Sequence, residues 1–145
     1  MITVIRNMLP IDKDEIICMM NDFYSSPAVH TNGSYEIFVT DVENCVNDSP
    51  YLEGYVFEAD GTIQGYAMLA KSFSTEFGKP CIWIEDIYIK KEFRGYGIGK
   101  KFFEFLDNNY KDCIFRLEVE EDNVNAVNLY KKNGFEFMPY AEMKK

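Results

Sequence analysis

The sequence predicts an α/β (α+β) fold, a mixed sheet with helices on both faces. Three observations lead there. Apolar residues alternate along some segments and recur at helical spacing along others, in the order β-α-α-β-β-β-α-β-α-β. Turn and cap residues mark nearly every change of period. The most strand-like stretch, Cys81 to Lys90, runs into a glycine-rich loop that opens a helix.

Each element has a local reason. Thr3 to Arg6 is a short strand. Asp12 to Tyr24 is a helix, with Asp12 as N-cap, Glu15 three residues on, and Ile16, Ile17, Met20 and Phe23 as its apolar face. Ser34 opens a second helix that Asn47-Asp48-Ser49-Pro50 closes. Tyr51 to Glu58 and Thr62 to Ser72 form a hairpin about Asp60-Gly61. Glu76-Phe77-Gly78-Lys79 turns into the third strand of this set. Ile98 to Asn109 is a helix whose Phe102, Phe103, Leu106 and Tyr110 face a core. Cys113 to Val119 is a strand, and Asn123 to Lys132 a helix capped by Gly134. Phe135 to Met143 supplies a last strand or a short bent pair.

Composition narrows the possibilities. The 145 residues fit one domain, 1–145, and 47% apolar with 16% aromatic content suits a packed core. Four scattered cysteines, Cys18, Cys45, Cys81 and Cys113, form no CxxC pair, and there is one histidine. No zinc or redox site is expected, only buried free thiols of a reducing compartment. The first residues lack the basic head and apolar run of a signal peptide, and no segment has the length of a membrane span. A cytoplasmic protein that binds neither membrane nor nucleic acid is the expectation, the latter because the net charge is −9. That charge also favours a cationic partner, although acidity alone keeps many proteins soluble.

The loop Arg94-Gly95-Tyr96-Gly97-Ile98-Gly99-Lys100 carries the most chemistry. Amides at a helix N-terminus lack internal partners and point outward at the positive end of the dipole. Glycines let backbone approach an anion closely and take positive φ. The combination suits a pyrophosphate, with Arg94 and Lys100 adding charge. Two other phosphate loops are excluded by spacing. A dinucleotide fingerprint would need glycine where Lys100 or Phe102 stands, and a P-loop would need glycine at Arg94 and Ser or Thr at Lys101.

What fits is Arg-x-x-Gly-x-Gly at 94 to 99, which resembles the acetyl-CoA pyrophosphate loop of the GNAT superfamily of N-acetyltransferases. Downstream, Asn123, Ala126, Leu129, Tyr130, Gly134 and Phe135 fall in the pattern Asn-x-x-Ala-x-x-Leu-Tyr-x-x-x-Gly-Phe, similar to the family's second signature. The resemblance covers about Tyr51 to the end. It implies a mostly antiparallel sheet splayed between the strands near 81–90 and 113–119. Acetyl-CoA, as acyl donor, would lie in the gap against the backbone of Ile87, Tyr88 and Ile89. Its pyrophosphate would meet Arg94, Gly95, Tyr96, Gly97, Ile98, Gly99 and Lys100, and its arm Asn123 and Tyr130.

Acetyl transfer to an amine requires two proton movements. Neutralising a lysine-like ammonium at pH 7 costs about 4.6 kcal/mol. The resemblance implies Glu85 as the base, acting directly or through water. Asp86 points to the other face of a regular strand, but a bulge, common here in the family, would exchange the two. It also implies Tyr130 as the acid for the departing thiolate, and an amide of 87–89 for the oxyanion. His30, a lone histidine in a loop, is expected to be merely polar; Trp83 belongs to the core. Ser72-Phe73-Ser74-Thr75 and Ile84-Glu85-Asp86-Ile87-Tyr88-Ile89 look similar to the diamine and polyamine branch, so a small cationic amine is the first expectation. A peptide acetyltransferase and a non-catalytic acyl-CoA-binding module are the alternatives. The family often dimerises, so a homodimer is open. After Phe135 only ten residues remain, so the family's last two strands must be short or merged.

Overall fold

The computed structural model describes residues 2–30 and 33–145. In chain order the elements are β1 (Val4–Asn7), α1 (Lys13–Tyr24), α2 (Tyr35–Val46), β2 (Leu52–Ala59), β3 (Thr62–Ser74), β4 (Lys79–Ile89), α3 (Ile98–Asn109), β5 (Ile114–Leu117) and α4 (Val124–Lys132). Strands β1 to β4 pair antiparallel in sequence order, and β5 adds parallel to β4 after the α3 crossover. The sheet is therefore mixed and mostly antiparallel, as expected.

Alternation along the strands builds two cores. Tyr55, Phe57, Ala67, Leu69, Ile82 and Ile84 face α3, meeting Ile98, Phe102, Phe103 and Leu106. Val56, Tyr66 and Met68 face the opposite way, onto Ile16, Met19 and Met20 of α1 and Phe38 and Val42 of α2. Each Val, Leu, Ile, Phe or Met among them contributes roughly 1.5–3 kcal/mol by leaving water. The β2–β3 hairpin turns on Asp60 and Gly61, both with positive φ (49° and 79°), the primed turn that matches strand twist.

Four local expectations are corrected. Asp12 does not cap α1 with its side chain; its carboxylate accepts from the Leu9 amide at 2.8 Å and from both terminal nitrogens of Arg6 at 2.8 and 3.0 Å. The arginine outcompetes the helix amides, because a paired guanidinium is the stronger donor. No strand is described after α4: Pro139 lacks the amide a ladder needs, and beyond Phe135 the segment is exposed. β5 is also shorter than expected, ending at Leu117. Finally, the four thiols are free but only Cys81 is buried; Cys18 lies on the solvent side of α1, while Ile16, Met19 and Met20 take the core side. Among the described residues no helix is long and apolar enough to cross a membrane.

Candidate active site

The site begins with a change of register in β4. Ile84 pairs with Leu69 and Asp86 with Met68, so Glu85 is an extra residue without a partner on β3. This bulge inverts the alternation that follows it. Ile82 and Ile84 face the α3 core, and so do Ile87 and Ile89, although the step from Ile84 to Ile87 is odd and would change faces in a regular strand. On the other edge, β5 pairs only with Cys81 to Ile84. From Glu85 onward β4 has left β5, and a cleft opens between the strands.

Glu85 and Tyr130 line one cavity of about 50 Å³ in that cleft, with Phe23, Asn123 and the Leu117–Glu120 stretch around them. That volume admits a few water-sized groups. Glu85 keeps an exposed side, yet the partial desolvation of its carboxyl at the cleft raises it above its ordinary value, and the fields of Asp86, Asp41 and Glu142 add to the shift. Burial likewise raises the Tyr130 phenol, which keeps its proton at neutral pH.

Tyr130 is positioned by the way α4 ends. The Gly134 amide donates to the Lys131 carbonyl and the Phe135 amide to the Tyr130 carbonyl, with Gly134 at φ 93°, the paired closure known as a Schellman motif. The Tyr130 and Phe135 rings then meet edge-on at 6.0 Å, and Phe103 of α3 closes on Tyr130 at 5.9 Å. At the other end, Asn123 Oδ1 accepts from the Ala126 amide and caps α4 while the residue borders the same cavity.

The glycine loop divides its labour. Gly95 and Gly97 take φ of 83° and 82°, where an added Cβ would meet no atom within 4 Å, so their need is conformational. At Gly99 a Cβ would stand 3.1 Å from Leu129, so this glycine lets α3 and α4 approach. Gly97 is the N-cap of α3 and supplies no side-chain bond, which leaves the first helix amides facing outward, together with Tyr96 and Lys100 on an exposed rim. Arg94 folds back instead: its Nε donates to the Ile89 carbonyl at 2.7 Å, and its guanidinium lies 5.5 Å from the centre of the Tyr88 ring. The loop thus offers outward amides and a fixed cation, a set that fits a pyrophosphate. β4 from Ile87 to Ile89 offers a strand edge that β5 has left.

His30 meets Glu120 rather than the cleft interior, joining the loop after α1 to the segment after β5. Trp83 lies under the Arg116 guanidinium at 4.9 Å. Two clusters carry no signal in the sequence. Asp86 accepts from Tyr24 and Tyr66, partners 62 and 20 residues away. Glu118 is pushed up to about 7, chiefly by the neighbouring Glu142 carboxyl and then by partial desolvation. Only the tertiary fold brings these residues together. A larger cavity of about 600 Å³ lies between β5, α4 and the C-terminal segment, where no strand covers β5. Tyr130 borders both, but only the smaller one is also lined by Glu85 of the bulge and Asn123 at the cap of α4. Among the described residues no group of His, Cys, Asp and Glu side chains is placed to hold a metal ion.

Comparison with known proteins gives this geometry its context. Residues 17–135 match the family described as Acetyltransferase (GNAT) family. The chain is 25% identical over 118 residues to a probable spermine N(1)-acetyltransferase of Bacillus subtilis subsp. natto, covering 75% of this chain and 78% of that protein. In fold it is similar to a possible acetyltransferase from Clostridium difficile 630, with a TM-score of 0.84 and 19% identity over 100% of this chain and 97% of that one. A predicted acetyltransferase with acetyl-CoA from Clostridium acetobutylicum gives a TM-score of 0.79 and 18% identity, over 99% and 96% of the two chains. With its splayed mixed sheet, its glycine loop at the start of α3 and a family match over most of its length, the chain belongs to the acetyltransferase (GNAT) family, enzymes that transfer an acetyl group from acetyl-CoA to an amine.

Proposed function

We propose that the acceptor is a small cationic amine, that Glu85 removes its proton, and that Tyr130 protonates the departing thiolate. The observation that carries this reading is the bulge, which leaves Glu85 unpaired at the splay on a cavity bordered by Tyr130. A base is best when its pKa approaches the working pH, and Glu85 is raised in that direction. Tyr130, raised by burial, holds the proton a thiolate requires.

Acetyl-CoA supplies the activated acyl group. Arg94, Gly95, Tyr96, Gly97, Ile98, Gly99 and Lys100 would hold its pyrophosphate through backbone amides and charge. The free edge of Ile87, Tyr88 and Ile89 would orient its arm, with Asn123 at the far wall. An amide of that edge would steady the oxyanion. Glu85 and Glu118 at the cleft, with Glu142 beside them and the fields of Asp86 and Asp41 reaching Glu85 from the far face of the sheet, favour a cation. A spermine acetyltransferase among the relatives supports the same class.

The test is CoA release from acetyl-CoA with putrescine, spermidine, lysine analogues and short peptides. Turnover with the small amines, lost in Tyr130→Phe, is the expected result. Turnover with peptides alone would replace the acceptor class. No turnover, with acetyl-CoA still bound, would leave an acyl-CoA-binding module.

A further inference from the structure

Two adjacent pairs of residues border the cleft, and each pair divides in the same way. In α1, Phe23 lines the cavity that holds Glu85, while Tyr24 turns to the far face of the sheet. In β4, Glu85 lines that cavity, while Asp86 turns to the far face. The two residues that turn away meet: Tyr24 Oη donates to Asp86 Oδ1 at 2.8 Å. Tyr66 of β3 donates to Asp86 Oδ2, also at 2.8 Å. Asp86 is 2% exposed and Tyr66 fully buried.

A buried carboxylate of this kind costs stability unless its oxygens are satisfied. An apolar side chain of similar volume would fill the same space at less cost. What the carboxylate adds is direction. Its two oxygens tie the last residue of α1, the middle of β3 and the residue following the bulge into one rigid unit. Tyr24 extends the tie to α2 through Phe38, ring centres 5.3 Å apart.

We propose that Asp86 is a positioning residue for acetyl transfer. Held by Tyr24 and Tyr66, it fixes the downstream side of the bulge and the end of α1, so that Glu85 and Phe23 are aimed into the cleft beside Tyr130. This rests on Glu85 as the base. A bulge has no ladder partner of its own to set its direction, so the neighbour's bonds set it. Misplacing a reacting group by about 1 Å costs up to about 10²-fold in rate. The charge of Asp86 also reaches Glu85, along with those of Asp41 from α2 and Glu142 from the C-terminal segment. Glu118 at the end of β5 interacts with Glu85 as well, Glu120 and Tyr130 border the same cavity, and all of the carboxyl groups in this set are acidic neighbours of one sign.

The test compares Asp86→Asn, Tyr24→Phe with Tyr66→Phe, and Glu85→Gln by kcat, by the Kd of acetyl-CoA and by the pH dependence of kcat/KM. The tyrosine double variant keeps the charge and loses both ties; its kcat should fall by about 10-fold or more, with acetyl-CoA binding unchanged. In Asp86→Asn the acidic limb should also move to lower pH, a change that loss of packing alone does not produce. Folded variants with wild-type kcat and an unmoved limb would overturn the proposal and leave Asp86 as a core carboxylate. If Asp86→Asn does not fold, full activity in the tyrosine double variant overturns it alone. Glu85→Gln separates the two levels. An acidic limb that persists there sinks the base assignment. A limb abolished there, with wild-type kcat and an unmoved limb in the other variants, sinks only the positioning role.

Discussion

The two halves of β4 differ in how many neighbours they keep. Cys81 to Ile84 is paired on both edges, to β3 and to β5, and its side chains Ile82 and Ile84 are buried in the α3 core. Asp86 to Ile89 keeps β3 alone. The first half is ordinary sheet interior, where each backbone group has its partner. The second half presents an unpaired strand edge and, at Glu85, a side chain that the ladder does not direct. Within one strand, residues paired on both edges and residues left with an open edge are separated by a single irregularity.

Substitutions on the two sides should therefore separate stability from chemistry. The largest effect expected is on rate: Glu85→Gln should lower kcat by about 10²-fold or more, measured by CoA release with a saturating amine. It should leave unfolding by urea unchanged or slightly more favourable to the fold, since Glu85 lies among other acids. Ile82→Ala should do the reverse. A cavity in the paired half costs about 2–5 kcal/mol of stability, read from the same urea titration, while the KM for acetyl-CoA stays unchanged.

Smaller effects sharpen the contrast. Gly97→Ala forces a side chain onto φ 82° and should cost about 1–2 kcal/mol, together with a raised KM for acetyl-CoA. A loop that served only as a turn would show the first change without the second. The smallest effect concerns pH. Glu118 is pushed up to about 7 and Asp41 to about 6, so across this range the folded chain holds protons that the unfolded chain has released. Stability should then fall as pH rises from about 5 to about 7.5, a shift of a few degrees in Tm. Glu142→Gln, which removes the carboxyl partner of Glu118, should flatten that slope. Asp12 acts in the opposite sense: paired with Arg6 its carboxyl is held low, and its contribution is lost only as pH falls through and below the usual carboxylate range.

Much of this was legible from local signals. The Asp60-Gly61 hairpin, the Ser34 cap, the Phe102 stripe and the Gly134 closure each depend on residues close in sequence, and each forms where the spacing places it. The glycine loop was legible as a unit but not in its parts. Nothing local distinguishes Gly97, needed for its φ, from Gly99, needed for its contact with Leu129. The Asp12 cap failed because a competitor, Arg6, lies on a neighbouring strand. The last strand failed because its alternation meets Pro139 at once. Least legible was the tie between Tyr24, Tyr66 and Asp86, since only the crossing of α1 over the sheet brings those residues together.

The comparison between the halves of β4 is tested most directly by following backbone amide resonances while CoA is added. Shifts at Ile87, Tyr88 and Ile89 and from Gly95 to Lys100, with Cys81 to Trp83 unmoved, are the predicted result. Shifts gathered instead around Arg116, Phe137 and Tyr140, which line the larger cavity beyond β5, would place the acyl donor on the other side of that strand and contradict the account.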